Sequence, residues 1–141
     1  MNTNPPPSTP AGSPRPSPAP GGCVLLVDDE ITIRSAGASV LQHLGYTVET
    51  AENGKQGLEM IEARNGDYQL ILLDLAMPVL SGADALKVIR AKYPTMPVLL
   101  MSGFLSERVD SLVQLGGPTA VIQKPFSLLA LKDGVADLLK A

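Results

Sequence analysis

The 141-residue chain has no tryptophan, three tyrosines, two phenylalanines, one histidine and one cysteine. The lone Cys23 excludes an internal disulfide and any site built from several thiolates. It opens an apolar run and reads as a buried, inert thiol. Tyr46, Tyr68 and Tyr93 fall at element boundaries and make no stacking array for nucleic acid. No apolar run approaches the ~20 residues needed to cross a bilayer; the run around Leu70–Leu73 is far too short. The N-terminus lacks the apolar stretch of a secretory signal. Basic charge is scarce as well. Beyond residue 22, 10 lysines and arginines face 14 aspartates and glutamates, so no basic face for nucleic acid is expected. Neither a GxGxxG motif nor a P-loop comes after the first apolar segment, which argues against a nucleotide site. The expectation is a soluble cytoplasmic protein with neither membrane nor nucleic acid as partner.

Proline, by contrast, is concentrated. Eight of the 13 prolines lie in residues 1–22, which hold no acidic side chain and one basic one, Arg15. Such a segment cannot bury enough apolar surface to offset its ordering entropy and is expected to be a disordered arm. It reads as a spacer, or as a polyproline II ligand for a partner domain. Residues 23–141 suffice for one domain.

From Cys23 onward two kinds of segment alternate. Strands are expected at Cys23–Val27, Thr47–Ala51, Leu70–Leu73, Val98–Met101 and Ala120–Gln123. Four are near-continuous apolar runs, as parallel strands covered on both faces require. Thr47–Ala51 is more polar and suits a sheet edge. Helical periodicity links Ile33, Gly37, Val40, Leu41 and Leu44, then Gly54, Gly57, Leu58 and Ile61, then Gly82, Ala85, Leu86 and Ile89. A weaker fourth helix is expected over Glu107–Leu115, and a fifth with the stripe Leu128, Leu131, Val135 and Leu138. Gly45, Asn65-Gly66, Pro94 and Gly116-Gly117-Pro118 supply the stops. Five strands alternating with five helices imply right-handed βαβ units around a parallel sheet.

The chemistry sits just past the strands. The first strand runs into Asp28-Asp29-Glu30, the third into Asp74, the fourth into Ser102 and the fifth into Lys124-Pro125. In a parallel sheet these ends share one edge, where open α/β sheets bind ligands. For strand order 2-1-3-4-5 the crevice falls between Asp28/Asp29 and Asp74. Three close carboxylates repel one another unless a cation lies among them. Oxygen donors without nearby His or Cys select a hard ion, Mg²⁺ or else Mn²⁺. Lys124 would add a point charge and Ser102 a hydroxyl donor. Together they could hold a phosphoryl group while a carboxylate attacks phosphorus. Taken singly, each of these residues also fits a turn, cap or surface role. His43, near the end of the first helix, reads as a partly exposed residue favoured by the helix dipole.

The motifs VLLVDDE (Val24–Glu30), LILLDLAMPVLSG (Leu70–Gly82), PVLLMSG (Pro97–Gly103) and VIQKPF (Val121–Phe126) together resemble the receiver domain of two-component response regulators. The likeness runs from Cys23 to about Ala141. It implies a flavodoxin-like fold, a doubly wound five-stranded parallel sheet in the order 2-1-3-4-5 with five helices. It further implies that Asp74 accepts a phosphoryl group from a phosphohistidine of a sensor kinase or phosphotransfer protein. Asp28, Asp29, Asp74 and the backbone carbonyl of Ala76 would hold Mg²⁺. Ser102 would be the switch hydroxyl and Lys124 the phosphate-pairing cation, with a cis Lys124-Pro125 bond. A downstream protein would read the face of the fourth helix, fifth strand and fifth helix.

Three positions depart from the family pattern. Val121 stands where many members carry Phe or Tyr, which puts the usual aromatic readout in question. Ala76 and Phe104 flank the path of an attacking water and cannot activate it, so slow self-dephosphorylation is expected. With nothing after the last helix, a stand-alone switch without an output enzyme domain is expected. Alternatives are a phosphate sink or the C-terminal receiver of a hybrid histidine kinase. An aspartyl-nucleophile phosphatase is disfavoured because Ala76 takes the place of its general acid.

Overall fold

The computed structural model describes residues 22–77, 80–103, 111–124 and 126–139. The elements alternate as β1 Cys23–Val27, α1 Ile31–His43, β2 Thr47–Ala51, α2 Gly54–Ala63, β3 Leu70–Asp74, α3 Gly82–Lys92, β4 Val98–Ser102, then α4, described over residues 111–113, β5 Thr119–Gln123 and α5 Leu128–Leu139. All five strands are parallel, in the order β2-β1-β3-β4-β5. The polar β2 therefore occupies an edge, as its sequence requires. β5 occupies the other edge and is only half-buried despite its apolar composition.

Apolar residues throughout β1 and at the first four positions of β3 and β4 feed both faces of the sheet, because successive side chains point to opposite sides. Leu25, Val27, Ile71, Leu73, Val98 and Leu100 face one way and meet Ile61 of α2 and Leu86 and Ile89 of α3. Val24, Leu26, Leu70, Leu72, Leu99 and Met101 face the other way and meet Leu41 of α1 and Leu131 and Val135 of α5. Full burial of a side chain of this size stabilises by about 1.5–3 kcal/mol.

The helices start and stop on local chemistry. Asn53 Oδ1 accepts from Gln56 N–H at 2.8 Å to cap α2, and Ser81 Oγ accepts from Asp84 N–H at 3.2 Å to cap α3. Gly45 at φ 103° and Gly66 at φ 75° turn the chain after α1 and α2, in the left-handed region that glycine enters without strain. A buried arginine pins the far end of the fold. Arg90 of α3 donates to Met96 O at 2.6 Å, and to Pro118 O and Thr119 Oγ1 at 2.8 and 2.6 Å. It thereby ties the turn before β4 to the turn before β5.

Three expectations change in detail. Asp74 and Ser102 are the last residues of β3 and β4 rather than the first after them. Leu128, expected on the apolar stripe of α5, is 65% exposed; Leu131 and Val135 carry the docking instead. Of the fourth helix expected over Glu107–Leu115, residues 107–110 lie outside the described residues, and residues 114–115 form a turn. The arm expected over residues 1–22 lies outside them too, except Gly22, which is buried and accepts from Thr47 N–H at 2.9 Å.

Candidate functional site

Parallel strands bring every C-terminal strand end to one edge, and the carboxylates gather there across the β1–β3 seam. Asp28 is wholly buried. Its N–H donates to Ala51 O at 3.1 Å, its Oδ1 accepts from Glu30 N–H at 2.9 Å, and its carbonyl accepts from Arg34 Nη1 at 2.7 Å. These bonds fix the loop that leads into α1. Asp74, also buried, accepts from Ala76 N–H at 3.2 Å through Oδ1. Gly82 lets the chain return against this loop, since a Cβ there would fall 2.1 Å from Asp74 O.

Lys124 closes the site from β5. Its N–H donates to Ser102 O at 2.7 Å, which places the side chain beside the last residue of β4. Its ammonium lies 3.0 Å from Asp28 Oδ2, 3.3 Å from Asp74 Oδ2 and 3.6 Å from Glu30 Oε1. Burial disfavours the ammonium, but the bond to Asp28 and the field of Asp74 outweigh that and raise the lysine pKa. Asp74 is pushed up to about 6, first by burial and then by the neighbouring Asp28, with the Ala76 N–H and Lys124 opposing. Ser102 is buried at the same edge.

Oxygen atoms from Asp28, Asp29 and Asp74 all lie within 4.8 Å of one another, with Asp29 exposed at the mouth. This donor set fits a hard divalent cation. The crowding of negative charge calls for one, and the exposed side leaves room for water or phosphate oxygens. The structure thus brings together Asp28, Asp29, Asp74, Ser102 and Lys124, with exposed Ala76 beside them. The structure adds Arg34, and it gives Glu30, placed at this edge by the sequence but without a role, a contact with Lys124. Glu30 and Arg34 lie at and just inside the start of α1.

Val121 is half-buried against the β-sheet face that carries α2 and α3. Phe104 and Pro125, and with Pro125 the expected cis bond, lie outside the described residues. His43 is exposed at the C-terminus of α1, away from the site, and Cys23 is buried and takes part in no disulfide. No described helix is long and apolar enough to cross a membrane.

Comparison with known proteins agrees with this geometry. The chain is 32% identical over 117 residues to the sensor kinase CckA of Brucella abortus, covering 83% of this chain and 12% of that protein. It is 38% identical over 105 residues to a CpxR-homologue transcriptional regulatory protein of Haemophilus influenzae, covering 74% and 44% respectively. The chain thus spans from about an eighth to under half of these two curated relatives. Among solved structures it matches the chemotaxis protein CheY4 of Vibrio cholerae with a TM-score of 0.76 and 31% identity, covering 85% of this chain and 100% of that one. A CheY-like receiver domain protein from Methanospirillum hungatei matches with a TM-score of 0.78 and 27% identity, covering 86% and 95%. The family model for the response regulator receiver domain matches residues 24–136. With sheet order, strand-end chemistry and relatives in agreement, the chain belongs to the response regulator receiver domain family of two-component systems.

Proposed function

We propose that Asp74 is the phosphoacceptor of a signalling switch, charged by a phosphohistidine on a sensor kinase or phosphotransfer protein. One observation carries this reading: a half-buried lysine ammonium bridges two buried carboxylates, 3.0 and 3.3 Å away, at the crevice of the sheet. An Asp74 oxygen forms the new bond to phosphorus as the phosphorus–nitrogen bond breaks, and the electron pair returns to the imidazole. Lys124 exchanges one carboxylate partner for a phosphoryl oxygen, and the Ser102 hydroxyl donates to another. Asp28, Asp29, Asp74 and the Ala76 carbonyl are the residues that would hold Mg²⁺, or Mn²⁺. Bound there, the cation neutralises charge on the transferring group. Ile31, 64% exposed beside Glu30, offers an apolar foothold for a phosphodonor protein at the rim.

The test is phosphotransfer from candidate kinases in the presence of Mg²⁺. Wild type should acquire label and Asp74→Asn should not; equal labelling of both overturns the acceptor assignment. Ala76 offers no acid or base to activate water, so the labelled form should decay slowly, and rapid loss would overturn that expectation. The likeness to the Brucella sensor kinase supports a second reading, a receiver belonging to a hybrid kinase, with the same acceptor. A phosphate mimic such as beryllofluoride separates transducer from sink. A transducer shifts the amide resonances of β5 and α5, while a sink leaves them in place.

A further inference from the structure

Side-chain caps open α2 and α3, through Asn53 and Ser81, but not α1. Its N-cap, Glu30, makes no capping bond with its side chain, and its first turn holds no acidic residue. The fourth residue of the helix is instead Arg34, a cation near the end where the macrodipole favours anions. Side chains on a helix lean toward its N-terminus, and Arg34 reaches back past Glu30 and Asp29. Its Nη1 donates to Asp28 O at 2.7 Å, a bond across six positions of sequence. Arg34 is half-buried there, so the contact is partly shielded from water.

That carbonyl belongs to the peptide unit joining Asp28 to Asp29. The unit is planar, so holding its oxygen holds the torsions on either side, ψ of Asp28 and φ of Asp29. The other polar atoms of Asp28 are tied elsewhere: its N–H to Ala51 O at 3.1 Å, its Oδ1 to Glu30 N–H at 2.9 Å and its Oδ2 to Lys124 Nζ at 3.0 Å. The exposed Asp29 carboxylate has no such tie among the described residues. Its place, with an oxygen within 4.8 Å of oxygens of Asp28 and Asp74, is set by its backbone.

We propose that Arg34 is a positioning residue for the divalent cation: by holding the Asp28–Asp29 peptide, it keeps the Asp29 carboxylate beside those of Asp28 and Asp74. On the proposed reading of these three as cation ligands, Arg34 sets the affinity of the site without touching the metal. Groups that orient metal ligands typically govern affinity by about ten- to a hundredfold. The charge of Arg34 acts the other way, since a cation near the site repels a second one. Positioning and charge therefore predict opposite signs for its removal.

Mg²⁺ alone, titrated into the full chain at constant ionic strength and followed by the amide resonances of Asp29 and Ala76, tests the proposal. Arg34→Met should raise the dissociation constant about tenfold. Arg34→Lys, which keeps the charge and a donor on a long stem, should restore most of the affinity. Urea midpoints without metal check that the variants are folded; where the methionine variant is not, Arg34→Gln, too short to reach Asp28, carries the same expectation. Unchanged or tighter binding by Arg34→Met overturns the proposal, the latter being what loss of a charge alone would give. So does weakening of equal size in Arg34→Met and Arg34→Lys. A wild type that binds no Mg²⁺ overturns the three-carboxylate reading itself, and the positioning role with it.

Discussion

Asp74 stores part of the stability of the fold in its protonation state. The unfolded carboxyl titrates near 4, whereas the folded one is raised to about 6. Stability linked to the protonated form is therefore full below about pH 4 and is lost as pH rises through 6, an effect on the order of 2–3 kcal/mol. Without divalent metal, Asp74→Asn should accordingly raise the urea midpoint at pH 7 and leave it nearly unchanged at pH 4. A lower midpoint at pH 7 would contradict the crowded-carboxylate account. Lys124→Met should act the other way, because Asp28 is wholly buried and loses its counter-ion. The expected loss is about 3–5 kcal/mol at pH 7, smaller near pH 5, read from chemical denaturation at the two pH values. Asp28, Asp29, Asp74, Ser102 and Lys124 were legible as a group because each ends or comes just after an apolar strand, and parallel pairing sends all of them to one edge. Glu30 was placed at that edge too, but its contact with Lys124 was not legible, because it depends on the turn into α1 and on the reach of a side chain 94 positions away.

At the scale of elements, close approach of backbone decides more than propensity. Gly54 and Gly82, the first residues of α2 and α3, would each drive a Cβ onto a carbonyl oxygen, 2.5 Å from Leu80 O and 2.1 Å from Asp74 O. The sequence shows these glycines on apolar helical faces; that they abut loops rather than side chains is decided only by how the β3–α3 loop folds back. Gly82→Ala should cost about 3 kcal/mol or more, at the upper end of overpacking, and should slow phosphorylation by displacing Asp74. Gly103→Ala, where nothing among the described residues lies within 4 Å, is the matched control. Thermal melts and labelling rates of the pair check this. The apolar stripe of α5 was only partly legible. Leu128 keeps the helical spacing, but it lies at the helix start beyond the sheet and stays exposed, whereas Leu131 and Val135 reach β4 and β5.

For the whole molecule, alternation of strands and helices was plain in the sequence, because each of the three central strands buries both faces. Strand order was not contained in that periodicity; it came with the family likeness and is now seen in the pairing. On the proposed reading, the three-carboxylate site ties global stability to metal. Mg²⁺ should raise the melting temperature, each tenfold increase above its dissociation constant adding about 1.4 kcal/mol. Asp29 is exposed, so Asp29→Ala should leave stability without metal within about 0.5 kcal/mol while weakening the response to Mg²⁺. A wild-type response in that variant would remove Asp29 from the ligand set.

The bond between Lys124 and Asp28 spans 96 positions of sequence. It forms only once β5, the half-buried outer strand, has paired with β4. A chain whose last strand has come away keeps Asp28 and Asp74 on the inner strands but loses the cation that faces them. On the proposed reading, competence to receive a phosphoryl group certifies that the outer strand is in place, and a partner that requires the phosphorylated form is shielded from copies that lack it.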